Sequence, residues 1–287
     1  MMDLNNLRAF LAVAETGSFS QAAKRLHLTQ PAVSKRIALL EDELGLLLFD
    51  RIGRHSRLTH AGGVLLPRAR ELILKAQDLK NQATSLTQKV SGPLTLGTSH
   101  HIGLHRLPDV LRHYRKDFPD VQLDIHFMDS EEACRAVDKG ELEMAIVTLP
   151  SETPPNLRTR KLWRDELCFV TAPVHELAGR KRVSLKQLTQ YPAVLPGPTT
   201  FTRAILEKAL LKHGLTISLG MSTNYMETLK MLTEINLGWS LLPRIMLTRA
   251  KLKILPVKLQ LTRSLGLVTH KERILSNPAK AMVSCLP

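Results

Sequence analysis

The sequence predicts an α+β multidomain protein: an N-terminal winged helix-turn-helix, a long linker helix, and a C-terminal two-lobed α/β unit. Three observations carry this. Residues 19–60 hold two short amphipathic segments, a polar break and a basic loop. Residues 59–90 hold a sustained heptad repeat. After Ser91-Gly92-Pro93 the pattern changes to alternating strands and helices.

A first helix is expected over Leu4 to Glu15, with Leu4, Leu7, Phe10, Leu11 and Ala14 as its buried stripe. Phe19, Ala22, Ala23 and Leu26 make the apolar face of a second helix, and His27, Leu28 and Thr29 break it. Val33, Ile37, Leu40 and Leu44 then recur at i, i+4, i+7 and i+11, the pattern of a third. Two helices joined by so few residues place one of them in a DNA groove. The helix-turn-helix proper covers about residues 19–38. Ser18 with Gln21 fits a capping box, Thr29 is a good N-cap, and Pro31 falls in a first turn, where its missing N–H costs little.

The DNA-facing candidates follow from those faces. Gln30, Ser34, Lys35 and Ala38 line the outer side of the recognition helix, with Pro31 and Ala32 in its first turn and Ser18 and Gln21 at the entry to the preceding helix. Short and polar side chains there reach base edges and phosphates. Arg51, Arg54 and Arg57 sit around Gly53 in the expected wing, where a basic loop grips phosphates beside the groove.

From Thr59 to about Lys89 the seam Leu65, Ala69, Leu72, Ala76, Leu79, Ala83, Leu86, Val90 alternates spacings of 4 and 3. That period belongs to a coiled coil rather than a surface helix. Large Leu alternating with small Ala suits two closely approaching helices. The seam reads as a dimerising linker, paired antiparallel; the alternative is a long helix packed on its own C-terminal domain.

Beyond the Gly-Pro break, strands are expected at 94–98, 121–127, 144–148, 167–172, 193–195, 216–221, 239–242 and 265–269. Helices are expected from the first strand to about Lys116 and near 130–139, 201–213, 224–237, 243–250 and 277–285. Interleaved strands and helices imply parallel sheets with covered faces, and so long a span is most economically divided into two lobes around a cleft.

Residues 9–51 (AFLAVAETGSFSQAAKRLHLTQPAVSKRIALLEDELGLLLFDR) and LTHAG at 58–62 resemble the LysR-type transcriptional regulators. The resemblance is sharp over roughly the first 65 residues and rests on element order beyond, with pieces such as GELEMAIV at 140–147. It implies a DNA-binding domain at 1–60, a dimerisation helix at 61–90, and a periplasmic-binding-protein-like effector domain at 91–287. In that domain lobe I would comprise 91–161 and 266–287, and lobe II 162–265. It further implies a homotetramer built as a dimer of dimers.

Composition fits this reading. The net charge is +14, but the surplus is spread: residues 1–90 hold 13 Lys/Arg against 8 Asp/Glu, the remainder 27 against 18. Charge alone therefore points only weakly to a polyanionic partner. Cys134, Cys168 and Cys285 are scattered, with no C-x-x-C pair, which suits a reducing cytoplasm. The first residues show no signal-peptide pattern, and no run approaches 18 apolar residues, so no membrane partner is expected. There is no G-x-S-x-G, G-x-G-x-x-G, Walker A or H-E-x-x-H pattern, and no enzymatic activity is expected.

Ligands in α/β sheets bind where strand ends lead into helix N-termini. Three such turns carry hydroxyls: Ser99 with His100 and His101, Thr148, and Thr199 with Thr200; Asn224 opens another helix. Hydroxyls and free N–H groups suit a small carboxylate. Plain N-capping explains any one of them equally well. By resemblance, Ser99, His101, Thr148 and Thr199 or Thr200 match effector-contacting positions. His101 and His105 lie four apart, a spacing that can bind metal on a helix, but no Cys or carboxylate lies within the cluster, so no metal is expected. No cofactor is expected; double-stranded DNA, a small-molecule effector and a second copy of the chain are the expected partners. A DNA-binding regulator without a ligand, or a cytosolic small-molecule or metal-binding protein, remain the other readings.

Overall fold

The computed structural model describes residues 2–287 except Gly53, Arg54, Gln88 and Arg249, and gives only the backbone of Arg51, Ile52 and His55. The chain divides into two compact units, residues 1–87 and 88–287.

In the first unit, α1 (Leu4–Thr16), α2 (Phe19–Arg25) and α3 (Gln30–Leu44) precede an antiparallel hairpin, β1 (Phe49–Ile52) and β2 (His55–Leu58), and then α4 (His60–Ser85). Leu7, Phe10, Val13, Val33, Ile37, Leu40 and Leu48 are buried in one core. Each such side chain contributes about 1.5–3 kcal/mol. The caps explain the boundaries. Gly17 and Gly45 take left-handed φ of 64° and 65° at two helix ends. Thr29 accepts the Ala32 N–H. The expected capping box at Ser18 is only half made: its hydroxyl accepts the Gln21 N–H, while the Ser18 N–H goes to the Thr16 hydroxyl at 3.4 Å.

A buried carboxylate shapes the entry to the hairpin. Glu41, 8% exposed, accepts the N–H groups of Leu48 and Phe49 at 2.7 and 3.3 Å. Behind it α4 lies close: a Cβ on Gly62 would stand 2.2 Å from the Leu48 carbonyl oxygen. The long helix ends at Ser85, short of Lys89, and contains Pro67 as its eighth residue. Its first seam residues are used internally, with Ala69 buried against the helix-turn-helix and Leu65 half-buried there. Leu72, Leu79 and Leu86 stand 45%, 68% and 83% exposed, one every two turns.

In the second unit β3 (Gly92–Thr98) leads to α5 (His100–His105) and α6 (Pro108–Asp117), two helices where one was expected. Leu107 and Pro108 divide them: Leu107 is fully buried, and Pro108 cannot continue the α5 hydrogen bonds. Then follow β4 (Val121–Phe127), α7 (Ser130–Asp138), β5 (Met144–Thr148), β6 (Leu157–Thr171), α8 (Leu185–Leu188), β7 (Ala193–Leu195), α9 (Phe201–Leu211), β8 (Leu219–Ser222), α10 (Met226–Glu234), β9 (Ser240–Pro243), a 3-10 turn at Arg244–Leu247, β10 (Lys253–Ile254), β11 (Leu261–His270) and α11 (Asn277–Cys285). The 3-10 turn stands where a helix over 243–250 was expected.

The sheets are mixed rather than all parallel. β3 pairs parallel with β4 and β5, and β7 with β8. β6 and β11 pair antiparallel along ten register positions, and β9 and β10 flank β6 antiparallel. The reason is topological. The chain leaves the first lobe along β6 and returns along β11, and two neighbouring strands crossing in opposite directions are antiparallel. Four buried clusters result, two on the faces of each lobe.

Candidate functional site

Three helices point their N-termini at one small cavity of the second unit. Its lining includes Ser99, His100 and His101 at the start of α5, Asp129, Ser130 and Glu131 at the start of α7, Thr148 at the end of β5, and Pro196, Thr200 and Thr202 around the start of α9. Asn224, Met226 and Arg263 complete it. Its volume is about 50 Å³. At about 10–15 Å³ for each water-sized centre, that accommodates a group the size of a carboxylate. A wider groove of about 610 Å³ shares His100, Asp129 and Asn224 with it.

Of the predicted effector residues, Ser99, His100, His101, Thr148, Thr200 and Asn224 are brought together here, and Thr199 is not: it is exposed and absent from the lining. The Thr200 hydroxyl is engaged as a cap, accepting the Arg203 N–H and donating to the Gly197 carbonyl at 2.8 Å. Ser99 sits at the N-cap position of α5 without making a side-chain cap bond. Thr148 is 4% exposed, and its N–H donates to the Ser130 hydroxyl at 3.1 Å. His100 packs between Phe127 and Tyr225, at 5.2 and 5.0 Å between ring centres. Asn224 spans the cleft: it accepts the Gly197 N–H and donates to Asp129.

The charged groups were not anticipated. Asp165 on β6 and Arg263 on β11 are cross-strand partners, with side chains 2% and 3% exposed. Arg263 Nε donates to Asp165 at 2.9 Å and its Nη1 donates to Thr202 at 2.8 Å. Its Nη2 is buried with no protein partner. Arg106 reaches Asp165 at 3.5 Å and His101 Nε2 lies 3.8 Å from it. Burial alone would raise the Asp165 carboxyl, but His101 and Arg263 outweigh it and hold the pKa at about 2. Burial lowers the His101 pKa against the pull of Asp165, so its imidazole is neutral at neutral pH. One sequence signal for Arg263 existed: it shares a strand face with Leu261 and Leu265, and an arginine on a buried face demands a partner.

Glu131 crosses the cleft. Its carboxylate accepts the Phe201 N–H at the start of α9. The carboxyl of one lobe thereby occupies the positive helix end of the other. Burial raises its pKa, Asp129 adds to the rise, and the Phe201 N–H and Arg135 oppose it.

In the first unit, Gln30, Pro31, Lys35 and Ala38 are exposed on α3, while Ala32 and Ser34 are half-buried on the same helix. Ser18 is half-buried and Gln21 exposed at the start of α2. Arg57 is exposed on β2 opposite Asp50. Arg54 lies outside the described residues, as does the side chain of Arg51. Among the described residues no helix is long and apolar enough to cross a membrane.

Two family models match. Residues 4–63 match the bacterial regulatory helix-turn-helix protein, lysR family, and residues 87–287 match the LysR substrate binding domain. An uncharacterized HTH-type transcriptional regulator in the ibpB-leuC intergenic region of Azotobacter vinelandii is 64% identical over 107 residues, 37% of this chain and 74% of that one. A full-length OxyR variant from Pseudomonas aeruginosa superposes with a TM-score of 0.72 at 22% identity, over 99% of this chain and 93% of that one. The effector binding domain of QuiR in complex with shikimate gives 0.62 at 20% identity, over 68% and 95%.

Proposed function

This chain belongs to the LysR family of DNA-binding transcriptional regulators, and on that footing we propose that its second unit senses a small organic acid between its lobes. The observation that carries this is Arg263 Nη2, a buried guanidinium nitrogen without a protein partner on a residue lining the cavity. A buried donor left unpaired costs about 1–3 kcal/mol or more when charged, and a ligand oxygen removes that cost. The helix N-termini and the hydroxyls of Ser99 and Thr148 add donors for the same anion. Glu131 already places a carboxylate on α9, and an effector carboxylate would take that place. QuiR, of like fold, is described with shikimate, itself a small hydroxylated carboxylate.

In this reading α3 enters the major groove with Gln30, Ser34 and Lys35 toward the bases, and Arg57 holds phosphate. Two chains pair through the Leu72, Leu79 and Leu86 stripe, and the pairs assemble as a tetramer. The ligand changes the spread of the DNA-binding heads by binding one lobe arrangement better than the other. The protein regulates rather than catalyses, and works in the cytoplasm, where its DNA is.

The test is thermal. Shikimate and other small carboxylates are screened against the full chain; one is expected to raise the melting temperature by mass action. Thr148→Val and Ser99→Ala should each reduce the rise. Valine keeps the shape of threonine and removes the hydroxyl. An equal rise in both variants and the wild type would place the ligand elsewhere.

A further inference from the structure

We propose that His101, His105 and Glu227 form a divalent-metal site of the zinc class that fastens one lobe of the second unit to the other. His101 and His105 are one turn apart on α5, with ring centres 5.1 Å from each other. Glu227 lies in the first turn of α10, on the opposite side of the cleft. One ligand atom from each of the three lies within 4.8 Å of the other two. The His105 Nε2 to Glu227 Oε1 distance is 3.2 Å. Around zinc, with bonds of about 2.0–2.1 Å in tetrahedral geometry, ligand atoms stand about 3.3 Å apart. The pair is therefore already at coordinating separation, and His101, whose ligand atom lies within 4.8 Å of both, closes by at most about 1.5 Å to reach the tetrahedral spacing.

His101 is what distinguishes this cluster from a simple ion pair. A His105–Glu227 contact accounts for those two side chains. It leaves the imidazole of His101, 4% exposed, with neither ring nitrogen hydrogen-bonded in the protein. Asp165 Oδ2 stands 3.8 Å from Nε2, too long for a hydrogen bond. A carboxylate behind a ligating histidine is the usual outer partner that fixes its tautomer. Two imidazoles and one carboxylate favour zinc, cobalt or nickel over magnesium or calcium. Three protein ligands leave a fourth position open to exchange.

The two sites share His101, but neither His105 nor Glu227 lines the anion cavity, so variants at those two residues test the metal site apart from the carboxylate reading. The experiment uses untagged full-length protein, stripped with chelator and titrated with zinc by calorimetry and with cobalt by visible absorption. One equivalent per chain should bind in about the micromolar range or tighter, with cobalt bands of a tetrahedral site and a rise in melting temperature. Magnesium should give none of these. His105→Ala and Glu227→Gln should each weaken zinc at least about tenfold, while His213→Ala, an exposed histidine elsewhere, leaves it unchanged. Glu227 is 42% exposed, so Glu227→Gln keeps the fold even if His105→Ala does not. Failure of zinc to saturate the wild type below about 1 mM, or wild-type affinity in Glu227→Gln, overturns the proposal. Retention of the carboxylate-induced melting shift in both variants separates this site from the effector pocket.

Discussion

Asp165→Asn should unbalance the hinge where β6 and β11 cross. The substitution keeps the side-chain volume and removes a negative charge that faces Arg263 at 2.9 Å, with both side chains at most 3% exposed. Arg106 loses the same partner but is 24% exposed and can turn to water. Arg263 cannot. Breaking a buried pair by removing one member costs about 3–5 kcal/mol, and for a unit of this size that lowers the melting temperature by roughly 6–20 °C. The assay is convenient: both tryptophans, Trp163 and Trp239, belong to residues 88–287. Intrinsic fluorescence during urea unfolding of the full chain therefore reads the second unit alone. Asp165→Leu combined with Arg263→Met buries no charge and should recover most of the loss. A cost under about 1 kcal/mol for Asp165→Asn, or a double variant as unstable as the summed singles, would refute the buried-charge argument.

Two other outcomes follow from the geometry. Leu79→Lys places a charge in the exposed stripe of α4, 68% exposed at that residue; light scattering at low micromolar protein should show loss of the dimer with tryptophan fluorescence unchanged, and an unchanged mass would mean that the stripe pairs with nothing. Glu131→Gln keeps an acceptor for the Phe201 N–H and removes a carboxyl whose pKa burial raises above its ordinary 4.5. A raised carboxyl contributes stability that is full below its unfolded pKa and is lost as pH rises through the folded value. Melting temperatures of wild type and Glu131→Gln should therefore diverge as pH rises from about 4.5 toward neutrality, the wild type falling behind; a constant difference across that range would contradict it.

Elements with a clean local signal were readable from the sequence. α1 to α3 have period 3.6 and recognisable caps, β4 and β5 are short apolar or alternating runs between breakers, and α11 follows a Ser-Asn-Pro start. β6 shows why the rest was not. Its first ten residues, LRTRKLWRDE, carry six charges where the strand pairs on one side with β11 and its other edge is open. Solvent tolerates five of those charges and Arg263 neutralises the buried sixth, Asp165, so hydrophobicity gives no cue. β10 is two residues long and exists only through its pairing with β6. At the cleft, hydroxyls at helix starts could be found because capping has a sequence signature. Glu131 reads as an ordinary first-turn acid, and only the approach of α9 makes it a bridge. Glu227 was out of reach for the same reason: it lies 122 positions from His105, and no spacing rule spans that distance.

The return of β11 and α11 to the first lobe also fixes an order of synthesis. Leu94 and Leu96 share a buried cluster with Ala279, Ala281, Met282 and Leu286, about 190 residues later. At roughly 5–20 residues per second, the ribosome leaves that core without its last wall for about 10–40 s after the first strand emerges. The contiguous DNA-binding head, residues 1–87, meets no such delay. Each new molecule therefore acquires a folded head before its sensor can close. During that interval Tyr114, whose hydroxyl in the finished protein donates to the Pro278 carbonyl at 2.8 Å, and the apolar residues around it have only water or a chaperone to face.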